Sequence, residues 1–329
     1  MDSEFSSLYE DLFQLNSRFM EVFSNTFINT NNVEVKLHDN IVIGGMGGSG
    51  ISGTYVKSIF ESLQLSKRIT VVRDYKFIRI LPDSSYILVS YSGNTEETIS
   101  LFNQLLSNQV KPIIVTSGGK LLELAKSHTC VYYILESGLQ PRMAFPNIFS
   151  VLLKILHNSF KDKMQIDHVE IKKLTIPDNI KEIKFSNFSN NLPIIITNSD
   201  YACVGERLRC QLNENAKLHS FNFVLPEYHH NGLVGLKSTF EGKIYFIFIE
   251  QRTDLDRIKF HFKFLKQKLI EKNIQYIEVY CNSDSYYINL LQLTMIVDYI
   301  SLVIAKHQGI NPIEVELIDQ LKVYLKTMV

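Results

Sequence analysis

The chain has 329 residues, 45% of them hydrophobic, and its 34 basic and 34 acidic side chains cancel to zero formal charge. That balance excludes a broad nucleic-acid surface, so any anion site must be local, and the composition excludes a disordered chain. The length predicts two domains of about 150 residues each.

Residues 5–24 space Leu8, Leu12, Phe13, Leu15, Phe19, Val22 and Phe23 as an N-terminal helix would. The start, Met1-Asp2-Ser3-Glu4, is acidic with no apolar run behind it, which argues against a secretory signal. Strands are then predicted at Asn40–Gly44, Ile69–Arg73, Tyr86–Ser90, Pro112–Thr116 and Cys130–Leu135. Helices are predicted at Ile51–Leu65, Thr95–Leu106, Lys120–Lys126 and Pro146–Phe160. Short apolar strands alternating with helices imply an α/β fold, a parallel sheet covered on both faces.

Residues 161–191 are rich in Lys, Asp, Asn and Ser with weak periodicity, and read as a connecting segment between an N-terminal domain, 1–160, and a C-terminal one, 192–329. The pattern restarts with strand Leu192–Thr197, helix Tyr201–Asn215 and strand Leu218–Val224. Strand Lys243–Glu250, helix Thr253–Lys272, strand Ile274–Tyr280 and helix Asp284–Lys306 follow. A last helix is expected from Pro312, with Asn311 as its cap and proline at its first position. The most apolar stretch, Leu290–Ala305, is interrupted by Gln292, Asp298 and Ser301 and reads as falling short of a membrane span. Four cysteines (Cys130, Cys203, Cys210, Cys281) show no C-x-x-C spacing and read as buried thiols of a reducing cytoplasm.

Two loops carry the strongest chemical signal. Gly44-Gly45-Met46-Gly47-Gly48-Ser49-Gly50 offers backbone N–H groups, since glycine lets a ligand approach closely. Ser90-Tyr91-Ser92-Gly93-Asn94-Thr95 offers three hydroxyls, Ser90, Ser92 and Thr95, at the start of a helix, where an anion is favoured. Together they form a phosphate cradle without lysine, and a small phosphorylated metabolite suits it. The first loop also fits G-x-G-x-x-G, with Asp74 near the place of a ribose-binding acid, so a dinucleotide reading stays open. No Lys-Ser/Thr pair follows the glycines, which rejects a nucleotide P-loop.

Further candidates lie downstream. Arg142, in Pro141-Arg142-Met143-Ala144-Phe145-Pro146, is an anion clamp or a solvated loop arginine. Glu214 closes a helix in Leu212-Asn213-Glu214-Asn215-Ala216-Lys217. His229 and His230, in Pro226-Glu227-Tyr228-His229-His230-Asn231, are adjacent, so their side chains diverge, which argues against a metal site while leaving a proton-transfer group. Lys322 and Lys326 share one face of the amphipathic final segment.

In order and spacing, these segments resemble the archaeal and bacterial bifunctional phosphoglucose/phosphomannose isomerases, built from two SIS (sugar isomerase) domains. The resemblance covers essentially the whole chain; the Ser-Tyr-Ser-Gly-Asn-Thr loop signals only a SIS domain, and the segments at 212–217 and 226–231 make it specific. It implies that Ser49, Ser90, Ser92 and Thr95, with backbone near Gly48, hold the sugar phosphate. By the same resemblance Arg142 stabilises an enediolate, Glu214 shuttles the proton, and His230 with Lys322 opens the sugar ring. It implies a homodimer in which the partner subunit lends the histidine, with no metal or other cofactor. Phe145 stands where leucine is more usual, and the connecting segment is richer in Asn and Lys than expected.

The expected activity is therefore a cytoplasmic aldose–ketose isomerase, acting on glucose 6-phosphate and on mannose 6-phosphate with fructose 6-phosphate as the common product. Both aldoses share one enediol, so a single carboxylate that removes and returns one proton serves both. A non-catalytic sugar-phosphate sensor and a dinucleotide-dependent oxidoreductase are the alternatives. Against the sensor, no DNA-recognition helix or spare domain is evident.

Overall fold

A computed structural model describes residues 35–183, 185, 191–237 and 243–328. The N-terminal helix expected at 5–24 lies outside the described residues. The other apolar runs form two separate parallel sheets. The first contains β1 (Asn40–Gly44), β2 (Arg68–Val72), β3 (Ser84–Ser90), β4 (Ile113–Thr116) and β5 (Tyr132–Ile134), in the order β2-β1-β3-β4-β5. Every residue of β3 is buried, which is why this central strand reads as an unbroken apolar run rather than an alternating one. Around the sheet run α1 (Gly47–Ser62), α2 (Glu96–Ser107), α3 (Gly119–Ser127) and α4 (Phe145–Leu156). Tyr55 of α1 meets Phe145 of α4 edge-on, with ring centroids 4.8 Å apart.

The second sheet contains β6 (Leu192–Asn198), β7 (Phe221–Leu225), β8 (Ile244–Ile249) and β9 (Tyr276–Val279), ordered β7-β6-β8-β9. Its helices are α7 (Ala202–Asn215), α8 (Asp256–Glu271), α9 (Tyr286–His307) and α10 (Glu316–Lys326); the connecting segment holds the short α5 (His168–Lys172) and α6 (Asp178–Lys181). Phe248 anchors the core here, stacked on Phe246 and edge-on to Phe262 of α8. The chain divides into two compact units. The first sheet's unit extends to Thr175 and adds Ser283–Gln292; the second comprises Ile176–Asn282 and Leu293–Val329.

Several local expectations are corrected. Helix α1 starts at Gly47, not Ile51, so the glycines themselves form its first turn. Helix α4 ends at Leu156 and tightens into a single 3-10 turn, His157–Ser159. Asn311 does not cap the last helix: its side-chain carbonyl accepts from Ile313 N–H at 2.9 Å in a local turn, and α10 begins at Glu316. Cys130, Cys203 and Cys281 are buried, but Cys210 is only partly so. The apolar stretch expected to fall short of a span belongs to a 22-residue helix, α9, that is long and apolar enough to cross a membrane; 83% of that window is buried inside the fold, as in a core helix.

In both sheets the strand order reverses beside the first strand, between β1 and β3 and between β6 and β8, where ligands lodge at the carboxyl edge. The second sheet fills this place with its own side chains. Asp254 accepts from Asn198 Nδ2 at 2.6 Å and from Gln251 N–H at 2.8 Å. Burial pushes the Asp254 carboxyl up to about 6, despite those two hydrogen bonds. The folded state then holds the proton more tightly than the unfolded chain, so this contribution to stability is present at low pH and is lost as pH rises through about 6. Measured by thermal melts, the Asp254→Asn variant should gain on the wild type between about pH 4 and pH 6.5. A difference between the two that does not change with pH contradicts the assignment.

Candidate active site

The first sheet's carboxyl edge brings the two predicted loops together. Ser90 ends β3 and is buried, and its Oγ lies 2.8 Å from Thr95 Oγ1 while accepting from Gly93 N–H at 3.1 Å. Ser49, in the first turn of α1, is also buried, and its Oγ accepts from Tyr91 N–H at 3.3 Å, tying the glycine loop to the serine loop. Ser92 is exposed and accepts from Asn94 N–H at 3.2 Å. Neither α1 nor α2 has a side-chain hydrogen bond from its capping residue; the first turn of α1 carries no acidic residue and suits an anion, while α2 opens on Glu96 and Glu97. Gly93 has φ +68°, and a Cβ there would lie 1.8 Å from the Gly118 carbonyl, so only glycine allows this turn.

Arg142 joins the same unit's site. It is buried at 5% exposure, in the turn before α4. Gly48 is pressed against this turn: a Cβ on it would lie 3.1 Å from the Pro141 carbonyl oxygen and 3.5 Å from Arg142 Cα. Tyr91 fixes the approach, its hydroxyl donating to the Glu136 carbonyl and accepting from Leu139 N–H, both at 2.9 Å. The glycine loop, the serine loop and the arginine turn are thus one connected structure. The solvated-loop alternative for Arg142 is set aside by its burial.

In the second unit, Glu214 lies half-buried in the last turn of α7. The helix is held by one face, Arg207, Gln211 and Asn215, each four residues from the next. The Arg207 guanidinium grips the Asp298 carboxylate of α9 through two hydrogen bonds of 2.8 and 2.6 Å, with both side chains almost wholly buried. Gln211 donates to the same carboxylate at 2.8 Å, and Asn215 donates to Ser301 Oγ at 2.9 Å. After the helix Lys217 donates to the Glu214 and Glu314 carbonyls, each at 2.6 Å, which brings the approach to α10 beside Glu214.

His230 sits elsewhere in this unit. Helix α7 joins two parallel strands and must return the chain to their amino edge, where Glu214 lies. His230 follows β7, whose Leu225 pairs with Asn198 at the carboxyl edge. The length of β7, about 3.3 Å per residue, therefore separates the two. His230 is exposed. Lys322 of α10 is exposed too, and its Nζ lies 2.8 Å from Asp319. Among the described residues, no group of three or more His, Cys, Asp or Glu side chains could hold a metal ion.

Two family models match the chain: the SIS domain over residues 36–153 and the bacterial phospho-glucose isomerase C-terminal SIS domain over 182–325. A bifunctional phosphoglucose/phosphomannose isomerase of Aquifex aeolicus is 31% identical over 298 residues, covering 88% of this chain and 91% of that one. This chain belongs to the bifunctional phosphoglucose/phosphomannose isomerase family. A D-glucosamine-6-phosphate 4-epimerase of Sulfolobus acidocaldarius is 34% identical over 202 residues, 60% of this chain and 64% of the epimerase. Among solved structures, the C-terminal domain of glucosamine-fructose-6-phosphate aminotransferase from Francisella tularensis shares the fold, with a TM-score of 0.69, 14% identity, and coverage of 92% of this chain and 96% of that one.

Within this phosphoglucose/phosphomannose isomerase-family chain, the residues that sequence reasoning passed over are Arg207, Gln211, Asp298 and Lys217, which hold the end of α7. The four-residue spacing on α7 and a lone carboxylate inside an apolar helix were the available signals. Removing the Asp298 carboxylate takes away the buried counter-charge that the Arg207 guanidinium grips, so Asp298→Ala should cost about 3–5 kcal/mol in denaturant unfolding. A loss under about 1 kcal/mol, the range of an exposed pair, contradicts that reading.

Proposed function

We propose that this chain interconverts glucose 6-phosphate and mannose 6-phosphate with fructose 6-phosphate by proton transfer through an enediolate. The observation that carries the reading is the hydroxyl and N–H cradle at the first sheet's switch point, joined to the Arg142 turn. Ser49, Ser90, Ser92 and Thr95, with the N-terminus of α1, take the phosphate. That group lies far from the reacting carbons, so its binding energy positions the sugar without entering the chemistry. Glu214 takes the proton from one of the two reacting carbons and returns it to the other. The Arg142 guanidinium stabilises the developing oxyanion, a role worth a few kcal/mol in the transition state. His230 and Lys322 open the ring.

The working unit in this reading is a dimer in the cytoplasm. Glu214 and His230 lie at opposite edges of the second sheet, which supports a histidine lent by a second copy. Helix α10 supports it as well. It buries none of its residues and exposes Leu317, Ile318, Leu321 and Tyr324, and a helix of 11 residues is marginal without packing.

The test is a coupled assay for fructose 6-phosphate on each aldose phosphate, run with chelator present. Turnover of both supports the reading; turnover of glucose 6-phosphate alone narrows it. Silence from folded protein that still binds the sugar phosphates favours a sensor. The likeness to the Sulfolobus epimerase motivates a parallel run on glucosamine 6-phosphate, where epimerised product would redirect the assignment. Glu214→Gln should still bind sugar phosphate but lose nearly all turnover; retention of more than about a tenth, a barrier change under ~1.4 kcal/mol, removes Glu214 as the base.

A further inference from the structure

The turn that carries His230 is built with unusual care. Tyr228 is buried and packs on Phe223, with ring centroids 5.3 Å apart. Gly232 passes so close beneath it that a Cβ there would meet the Tyr228 ring at 2.2 Å. Asn231 Nδ2 donates to Glu227 Oε1 at 2.8 Å, closing the turn on itself. One contact then ties the turn to another element: His229 Nδ1 lies 2.7 Å from Nδ1 of His261 on α8, with ring centroids 4.7 Å apart.

Two imidazole nitrogens at that distance share a proton, one carrying N–H and the other its lone pair. His229 Nε2 is buried with no hydrogen-bond partner, so a charged His229 would hold a second N–H where nothing accepts it. Burial first, and then the neighbouring His261 and His230, hold His229 below the ordinary imidazole range. Both the unpartnered Nε2 and the burial favour the neutral form of His229. With nothing for Nε2 to donate to, His229 carries its N–H on Nδ1 and donates it to Nδ1 of His261.

We propose that the His229–His261 pair is a proton-sharing latch that fixes the turn presenting His230, making His261 a positioning residue for the ring-opening histidine. The proposal rests on the isomerase reading for its effect on turnover, but not for the latch itself. Adjacent side chains diverge, so anchoring His229 inward against α8 turns His230 outward, and His230 is the exposed member of the pair. An unanchored turn would present His230 over a range of orientations, and proton transfer tolerates little misplacement.

The test compares His261→Asn, whose amide reaches the place of Nδ1, with His261→Leu, which cannot hydrogen-bond. On glucose 6-phosphate, His261→Leu should lower kcat roughly tenfold with KM within about twofold, and His261→Asn should recover to within roughly threefold of wild type. A purely structural role would shift the melting temperature without that split. If His261→Leu keeps more than about half the wild-type kcat, or His261→Asn is as impaired as His261→Leu, the positioning role is overturned. Should His261→Leu not fold, full loss in a folded His261→Asn overturns it equally. Nitrogen NMR of histidine-labelled protein reads the latch independently: a slowly exchanging imidazole N–H coupled to a second ring nitrogen supports it, and its absence from the wild type overturns it. A wild type without isomerase activity would sink the proposed function and leave the NMR result to decide the latch.

Discussion

A helix that joins two parallel strands must carry the chain back past the sheet before the next strand can begin. The rest of the site depends on that constraint. It gathers at the carboxyl edge whatever follows a strand and sends to the amino edge whatever ends a crossover helix. In the first sheet it assembles the cradle, because Ser49 follows β1 and Ser90 ends β3. In the second it separates Glu214, at the end of α7, from His230, just beyond β7. Neither loop flexibility nor side-chain length bridges the span of a strand.

The two sheets share the topology and differ in what occupies the switch point. Where the first offers neutral donors (hydroxyls and a helix N-terminus), the second places the Asp254 carboxylate, already holding Asn198 and the Gln251 backbone. What the second unit supplies instead is a rigid mount. The Arg207–Asp298 pair is buried, doubly hydrogen-bonded and extended by Gln211, so it holds the end of α7 in one register. A buried ion pair of this kind adds little net stability over apolar packing, but it is severe against misplacement, because any other arrangement strands a charge. Specificity of position is what the proton-shuttling role proposed for Glu214 requires.

Much of this was legible in the sequence, for a physical reason. Strands buried on both faces read as short unbroken apolar runs, so β1, β3, β4, β6 and β8 announce themselves. The glycine and hydroxyl loops were legible because their chemistry is local, needing only a few consecutive residues. Helix starts were less so. Gly47 and Gly48 are poor helix formers, yet here they begin α1, since tertiary packing against the Arg142 turn outweighs propensity. Asn311 and Pro312 look like a cap, but Asn311 spends its side chain on a local turn. The long-range partners could not be read at all. Arg207 and Asp298 lie 91 residues apart and His229 and His261 lie 32 apart, and nothing in the intervening sequence records which meets which. The roles proposed for Glu214, His230 and Lys322 came only through resemblance to a family, because a carboxylate at a helix end and a histidine in a loop are commonplace.

Subunit mixing addresses the central claim most directly: that Glu214 of one copy works with His230 of another. Glu214→Gln and His230→Ala proteins, each inactive alone, are combined under conditions where subunit exchange is verified by mass. The account predicts that the mixture regains turnover, because each mixed dimer then holds one site with both native groups. Continued silence despite confirmed exchange would contradict it and show that each chain's site is self-contained.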